Sequence, residues 1–290
     1  MQVDNLITAI NAQHGLTLTK GERYARGEQG AVAVWDDAGS PLVLKWSADA
    51  GALARLQRAQ IATDQLRVRG YPVPRYRLYG TIDGGTYSLQ EALPGRPMAT
   101  VTLAQLPRLL ALNALQRGLA GLCASDWPRS VIESVLIGCN GYCVLASLIE
   151  YSSATRSLLN HLQTLVSEHS DAVCPTDDIV HYDFNPANIL LDGGQISGVV
   201  DWDGTTVGDR MFDLVTLFFY ADAGSDVRQA IWNRLSVSST RSAISLYIAH
   251  IIVRQLDWSI RHHDAGTVGR WLNTANVTIN ELVTIASLAR

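Results

Sequence analysis

His181-Tyr182-Asp183-Phe184-Asn185-Pro186-Ala187-Asn188-Ile189-Leu190-Leu191, followed by Gly198-Val199-Val200-Asp201-Trp202-Asp203, decides how this chain is read. Asn188 comes five residues after Asp183, and Asp201 eighteen after it. Between them Ile189-Leu190-Leu191 is a short apolar run, Gly193-Gly194 calls for a tight turn at positive φ, and residues 196–200 return as a second strand. Such a hairpin brings Asn188, at the start of one strand, beside Asp201, at the end of the other. Two carboxylates and an amide in this order match what phosphoryl transfer from ATP requires. One carboxylate takes or orients the proton of an attacking hydroxyl, while the amide and the second carboxylate hold magnesium on the triphosphate. Taken singly, Asp183 and Asn188 read as turn residues and Asp201 as a helix N-cap, but that explains each residue and not the joint spacing.

Lys45 is the next informative residue. The chain has two lysines, Lys20 and Lys45, among 23 basic residues, and Lys45 stands inside the apolar run Leu42-Val43-Leu44-Lys45-Trp46. Burying an ammonium without an anion costs several kcal/mol, so an anion is expected beside it. An edge-strand lysine facing water is the bland alternative. With the Asp183–Asp201 stretch in the same chain, the α- and β-phosphates of ATP are the expected anion. Upstream, Gly27-Glu28-Gln29-Gly30 is a glycine pair that lets backbone amides approach phosphates, and equally a common structural turn.

Composition excludes several classes. The 290 residues suffice for a large core, and 47% hydrophobic with 17% charged residues is ordinary for a globular enzyme. A net charge of −4 points to neither nucleic acid nor an anionic membrane as partner, and is compatible with a cationic small molecule. No apolar run reaches the eighteen or so residues that span a bilayer, and the first residues lack the basic start of a signal peptide. Cys123, Cys139, Cys143 and Cys174 form no disulfide framework and read as free thiols, so a cytoplasmic location is expected.

The rest of the chain reads as strands to about residue 94, interrupted by a helix over 50–69, and then mostly as helices. Helical periodicity is expected over 103–123, 153–169, 209–222, 240–262 and 267–288, with a short amphipathic helix at the N-terminus; residues 126–150 give no clear pattern. Tyr87 to Leu93 closes the small sheet and Pro94-Gly95-Arg96-Pro97 breaks it.

The motif from His181 to Asn188, the segment Val200-Asp201-Trp202-Asp203 and the stretch Gly208-Asp209-Arg210-Met211-Phe212-Asp213-Leu214 together resemble the aminoglycoside phosphotransferase family, from about Gly21 to the C-terminus. The resemblance implies an α+β, two-lobed protein-kinase-like fold, with residues 1–94 as a nucleotide-binding antiparallel sheet plus one helix. Residues 95–290 would be a helical part carrying the catalytic loop and acceptor site. It implies Asp183 as catalytic base, Asn188 and Asp201 as magnesium ligands, Asp213 as a brace under the loop, and backbone groups at Glu91, Ala92 and Leu93 reading adenine. The family pattern also supplies a helix glutamate to hold the strand lysine. Here residues 50–69 contain no glutamate, and Gln60 stands nearest its place. His181 reads as a packed residue bonded to the loop backbone.

For the acceptor, Asp203 is a candidate for a second ion or a substrate amine, and Asp257, Trp258, Asp264 and Trp271 combine carboxylates with indoles. The implied activity is ATP- and magnesium-dependent phosphorylation of a hydroxyl on a small molecule, foremost an aminoglycoside or other cationic antibiotic. Metabolites such as choline, homoserine, methylthioribose or ketosamines are the next class. A protein kinase would need a longer segment than residues 203–209, and a nucleotide-binding pseudokinase would not need Asp183.

Overall fold

A computed structural model of the chain describes residues 2–23, 31–118, 126–139 and 141–288. Gly27, Gly30 and Cys123 lie outside the described residues. In chain order the elements are α1 (Val3–His14), β1 (Thr19–Arg23), β2 (Val32–Trp35), β3 (Pro41–Ser47), α2 (Ala52–Val68), β4 (Tyr76–Ile82), β5 (Gly85–Glu91), β6 (Arg96–Pro97) and α3 (Leu106–Leu115). They continue as α4 (Arg129–Leu136), α5 (Leu145–Tyr151), α6 (Ser153–Glu168), β7 (Asp178–Val180), β8 (Ile189–Asp192), β9 (Gln195–Val199), β10 (Thr206–Gly208), α7 (Met211–Tyr220), α8 (Asp226–Ser238), α9 (Arg241–His262) and α10 (Ala265–Leu288). They fall into two compact units, Met1–Met98 with Ala187–Thr205, and Ala99–Pro186 with Thr206–Arg290.

The first unit is built on an antiparallel sheet in the order β1-β2-β3-β5-β4. Side chains alternate across a strand, so Leu42 and Leu44 of β3 share one face and Val43 and Lys45 the other. Leu42 and Leu44 pack with Val32, Val34 and Leu89 against Leu6, Ile7 and Ile10 of α1. Each such buried leucine contributes roughly 1.5–3 kcal/mol. The opposite face of β3 is thereby left to Lys45, which pairs in register with Ser88. The second sheet of this unit, β6-β8-β9, contains the expected hairpin, with Gly193 at φ 55° and Gly194 at φ 80°. Gly95, at φ 105°, has no room for a side chain, because a Cβ there would stand 2.5 Å from Leu191 O. Trp202 is fully buried and meets Tyr71 edge-on at 5.5 Å.

The second unit is helical, apart from the two-stranded pair β7–β10. Helix α9 runs through it with Ile244, Leu246 to Ala249 and Ile251 to Val253 buried, and α4, α5, α6, α7 and α10 pack around it. α6 starts at a capping box in which Ser152 and Thr155 exchange side-chain and backbone bonds.

Two expectations need correction here. The helix expected over 103–123 is α3, only Leu106–Leu115 in the described residues; Pro107 lies at its start, and Gln116, just past its end, turns its side chain to Ile179 O and Asp213. The unreadable stretch 126–150 holds α4 and α5, separated by a turn in which Gly138, Gly141 and Cys143 all have positive φ. One helix went unexpected, α8, whose core-facing side includes Arg228. That arginine is only 3% exposed, and its guanidinium bonds Phe218 O, Ala221 O, Thr278 and Glu281. A cation on the buried side masks the apolar period that marks a helix.

Candidate active site

In the first unit, hairpin β8–β9 pairs Ile189 with Val199, and Val200 N–H donates to Asn188 O at 2.9 Å. Asn188 therefore lies across from the residue that precedes Asp201. Asp201 itself has φ 65° and ψ 57°, the left-handed region that aspartate tolerates better than most residues. Lys45 Nζ donates to Asp201 Oδ1 at 2.7 Å and to Asp203 Oδ2 at 3.2 Å, and Tyr76 OH donates to Asp203 Oδ1 at 3.3 Å. Among the described residues, the ion pairs of Lys45 run to this loop and to nothing on α2. The missing helix glutamate is thus matched by a second carboxylate two residues beyond the first. Burial works against the ammonium, but Asp201 and then Asp203 more than offset it, and the Lys45 pKa lies above the ordinary lysine value. Tyr76 is driven up as well, by burial and by the same two carboxylates.

Asp201 and Asn188 offer a carboxylate and an amide oxygen, the hard donors magnesium takes, and a cation already rests on Asp201 in the form of Lys45. Among the described residues no three His, Cys, Asp or Glu side chains cluster as a metal site. Two protein oxygens, with phosphates and water completing the shell, is the usual arrangement for this ion. At the end of β5, Glu91 N–H donates to Arg75 O at 2.9 Å and Ala92 N–H to Pro41 O at 3.2 Å, and the N–H of Leu93 is the next along the chain. The Leu93 side chain lies against Gly198, where a Cβ would stand 2.6 Å from its Cδ1.

In the second unit, the loop carrying Asp183 rests on Asp213. That buried carboxylate accepts the N–H of His181 at 2.8 Å and of Tyr182 at 3.0 Å, and an amide hydrogen of Gln116 at 2.6 Å. Burial pushes the Asp213 carboxyl up, against the pull of His181, Gln116 and the two backbone donors. His181 is fully buried, and its Nδ1 accepts the N–H of Asp183 at 3.2 Å. Tyr182 has φ 76°. Its ring stacks on Phe212 at 5.2 Å, and its hydroxyl pairs with His250 Nε2 at 2.8 Å. His250, pushed well below the ordinary histidine range by burial and by Arg254, is a neutral imidazole. Arg254, a residue that sequence reasoning passed over, donates from Nη1 to Tyr182 O at 2.5 Å and from Nη2 to Asp183 Oδ1 at 3.3 Å.

The acceptor candidates have separate surroundings. Asp203 belongs to the lysine cluster. Asp257 is fully buried and accepts from Arg261 Nη2 at 2.7 Å and Ser147 Oγ at 2.8 Å. Trp258 stacks on His262 at 3.7 Å, and Trp271 on Phe219 at 5.6 Å. Asp264 is exposed at the start of α10, where its Oδ1 accepts Thr267 N–H at 2.7 Å, a bond that lowers its pKa. No helix among the described residues is long and apolar enough to cross a membrane.

The model described as Phosphotransferase enzyme family matches residues 21–247. Hygromycin-B 4-O-kinase of Escherichia coli is 38% identical over 48 residues, covering 16% of this chain and only 14% of that protein, so the chain spans a small part of that relative. A thermostable mutant of aminoglycoside phosphotransferase APH(4)-Ia, in ternary complex with ADP and hygromycin B, aligns with TM-score 0.69 at 16% identity over 97% of this chain and 98% of that one. Choline kinase LicA from Streptococcus pneumoniae aligns with TM-score 0.62 at 14% identity over 97% and 98%. At such identities the likeness establishes the fold, the protein-kinase-like one that the motifs resembled: an N-terminal antiparallel sheet followed by a mainly helical part.

Proposed function

The chain belongs to the phosphotransferase enzyme family of small-molecule kinases, and from that premise we propose that it transfers the γ-phosphoryl group of ATP to a hydroxyl of a small molecule. The observation that carries this reading is Lys45 held 2.7 Å from Asp201 at the end of a hairpin that sets Asn188 across from Val200. In the reaction the acceptor oxygen bonds to the γ-phosphorus, the bond to the β–γ bridging oxygen breaks, ADP leaves, and the acceptor proton passes to Asp183. Because the transition state is loose, Asp183 mainly orients the hydroxyl and takes its proton late. Lys45 grips the α- and β-phosphates, and Asn188 with Asp201 would hold magnesium. When bound, that ion offsets the charge on the triphosphate oxygens. Adenine is read by backbone groups at Glu91 to Leu93, and Gly27 and Gly30 are candidate phosphate contacts. Residues 1–94 serve the nucleotide, and residues 95–290 carry the catalytic loop and acceptor. The free thiols at Cys139, Cys143 and Cys174 fit a reducing cytoplasm, where ATP is supplied.

The acceptor is a cationic hydroxylated antibiotic, an aminoglycoside foremost, a reading supported by the activities named for the hygromycin and aminoglycoside relatives. Asp203, Asp264, Trp258 and Trp271 are its candidate contacts. A second reading, a metabolite kinase, is favoured by one observation: Asp257, a carboxylate suited to an amine, is fully buried and committed to Arg261. The test is turnover of ATP over a panel of aminoglycosides, choline, homoserine, methylthioribose and ketosamines, with mass spectrometry for one added phosphoryl group. Asp183→Ala is expected to lower kcat on the productive acceptor by about 10²–10⁴-fold, the range for a positioned proton acceptor. Nucleotide binding with no turnover that depends on Asp183 would leave a nucleotide-binding protein instead.

A further inference from the structure

A carboxylate that must meet one hydroxyl proton has to be held to within about half an ångström, yet Asp183 sits on a loop with its side chain 43% exposed. Within the second unit, one contact that reaches both that side chain and the backbone behind it comes from α9. The guanidinium of Arg254 spans two consecutive residues, with Nη1 on the carbonyl of Tyr182 at 2.5 Å and Nη2 on the carboxylate of Asp183 at 3.3 Å. Its plane also lies over the Tyr182 ring, 4.9 Å from the centroid. The base of this arm is seated in the core, where Ile251, Ile252 and Val253 just before it are fully buried. Tyr182, the residue being gripped, has φ 76°, a conformation that a bulky side chain holds only when its surroundings over-determine it. Asp213 takes its N–H, His250 its hydroxyl, and Arg254 its carbonyl.

We propose that Arg254 is the positioning residue of the Asp183 carboxylate, fixing through one planar fork both the orientation of the carboxylate and the loop conformation that presents it. The inference rests on the reading of Asp183 as the proton acceptor given above. Charge accounting agrees with it. Arg254 is 14% exposed, and among the described ion pairs its carboxylate partner is Asp183. Burial alone would lower the arginine's pKa, but Asp183, with smaller help from Tyr182, Tyr220 and Cys143, raises it overall. A lysine could supply the charge at this place but not the two-point fork, since its ammonium is a single centre on a flexible stem.

The experiment follows ATP hydrolysis, with water in place of the acceptor, in the wild type, Arg254→Ala, Arg254→Lys and Asp183→Asn. In Arg254→Ala, kcat is expected to fall about 10²-fold, the scale of a misplacement near 1 Å, while KM for ATP changes little. Arg254→Lys should recover part of the loss. Added guanidinium ion should partly rescue Arg254→Ala and do nothing for Asp183→Asn. A purely structural role would give none of these rescues. If the wild type turns over ATP through Asp183 while Arg254→Ala keeps its kcat, loses only nucleotide affinity, or fails to respond to guanidinium, the inference is overturned and the kinase reading stands. Should Arg254→Ala fail to fold, Arg254→Lys decides alone, since full activity there removes the fork. A wild type without Asp183-dependent turnover fails the kinase reading itself, and this inference with it.

Discussion

Lys45 in the first unit and Arg254 in the second are both cations held against carboxylates with little exposure, yet they are built by opposite means. Lys45 projects from mid-strand, and two carboxylates, Asp201 and Asp203, come to it from one short loop. Arg254 projects from a helix with one carboxylate partner among the described ion pairs, and directs its second donor to a backbone carbonyl. The first arrangement concentrates negative charge on a point cation, and under the proposed function the lysine would exchange a carboxylate for phosphate while Asp201 exchanges the lysine for the metal. The second, in the role proposed for it, fixes geometry. A guanidinium that spans Tyr182 O and Asp183 Oδ1 resists rotation of both. The comparison teaches that a cation's partners, more than its burial, separate a ligand-gripping role from a positioning one.

The largest break in this comparison comes from Lys45→Met. Its effect is expected in nucleotide binding, where the Arg254 effect lies in kcat. Loss of the phosphate contact should lower kcat/KM for ATP by about 10²–10³-fold, the scale for deleting one fixed donor at a charged centre. Calorimetry with a non-hydrolysable ATP analogue should show the affinity loss directly. Wild-type affinity in Lys45→Met would mean that Lys45 and Arg254 play the same kind of role, and the distinction collapses.

How much of this was readable in advance follows the same division. That the lysine needs an anion was legible because a lone cation inside Leu42–Trp46 breaks an apolar strand, and the structure gives it Asp201 and Asp203. The hairpin was legible through Gly193-Gly194, where only a turn at positive φ fits. Arg254 also follows an apolar run, Ile251-Ile252-Val253, and the rule that singled out Lys45 applies to it. Nothing local, however, tells a helical arginine at the edge of a core from one snorkelling to water. Its partner is 71 residues away in sequence, a distance that only tertiary packing closes. The partner of Lys45 was illegible for the opposite reason: the family pattern directs attention to a helix glutamate, whereas the second carboxylate, Asp203, stood in the motif already quoted. Residues 126–150 and α8 escaped because turns at positive φ and a buried arginine leave no period to count.

A second effect, read in stability, sharpens the contrast between carboxylates bonded directly to a cation and one whose described bonds come from neutral donors. Asp209 is buried on neutral donors, with Met211 N–H on Oδ1 at 2.9 Å and Tyr247 OH on Oδ2 at 3.0 Å. Burial, with a smaller push from Asp178, raises its pKa from 3.8 to about 6, against the pull of those bonds and of nearby Arg210. A folded-state pKa above the unfolded one means that the native state binds the proton more tightly. The contribution is therefore fully present below pH 3.8 and is lost as pH rises through about 6. Its size is on the order of 3 kcal/mol. Thermal melts from pH 8 to pH 5 should show the wild type gaining stability relative to Asp209→Asn as pH falls. The difference between the two proteins is the quantity to read, because neutral buried His250 pulls the other way by favouring high pH. A difference that stays flat with pH would show that Asp209 ionises in the fold as freely as in the open chain.

The smallest expected effect is the most pointed test of how Lys45 is held. If a side chain of α2 oriented the ammonium, Gln60, nearest the place of the family's glutamate, would be that residue. Lys45 instead has two carboxylates at 2.7 and 3.2 Å, and Asp203 is further fixed by Tyr76. A neutral amide adds little to a cation already flanked by two carboxylates, since the ionic bonds are roughly twice as strong as a neutral one. Gln60→Ala is accordingly expected to leave affinity for the ATP analogue within about twofold, under roughly 0.5 kcal/mol, as for substitutions that remove no buried partner. Calorimetry beside Lys45→Met supplies the scale. A Gln60→Ala loss approaching that of Lys45→Met would place the lysine's support on the helix, and the loop after β9 would then be only its resting place without nucleotide.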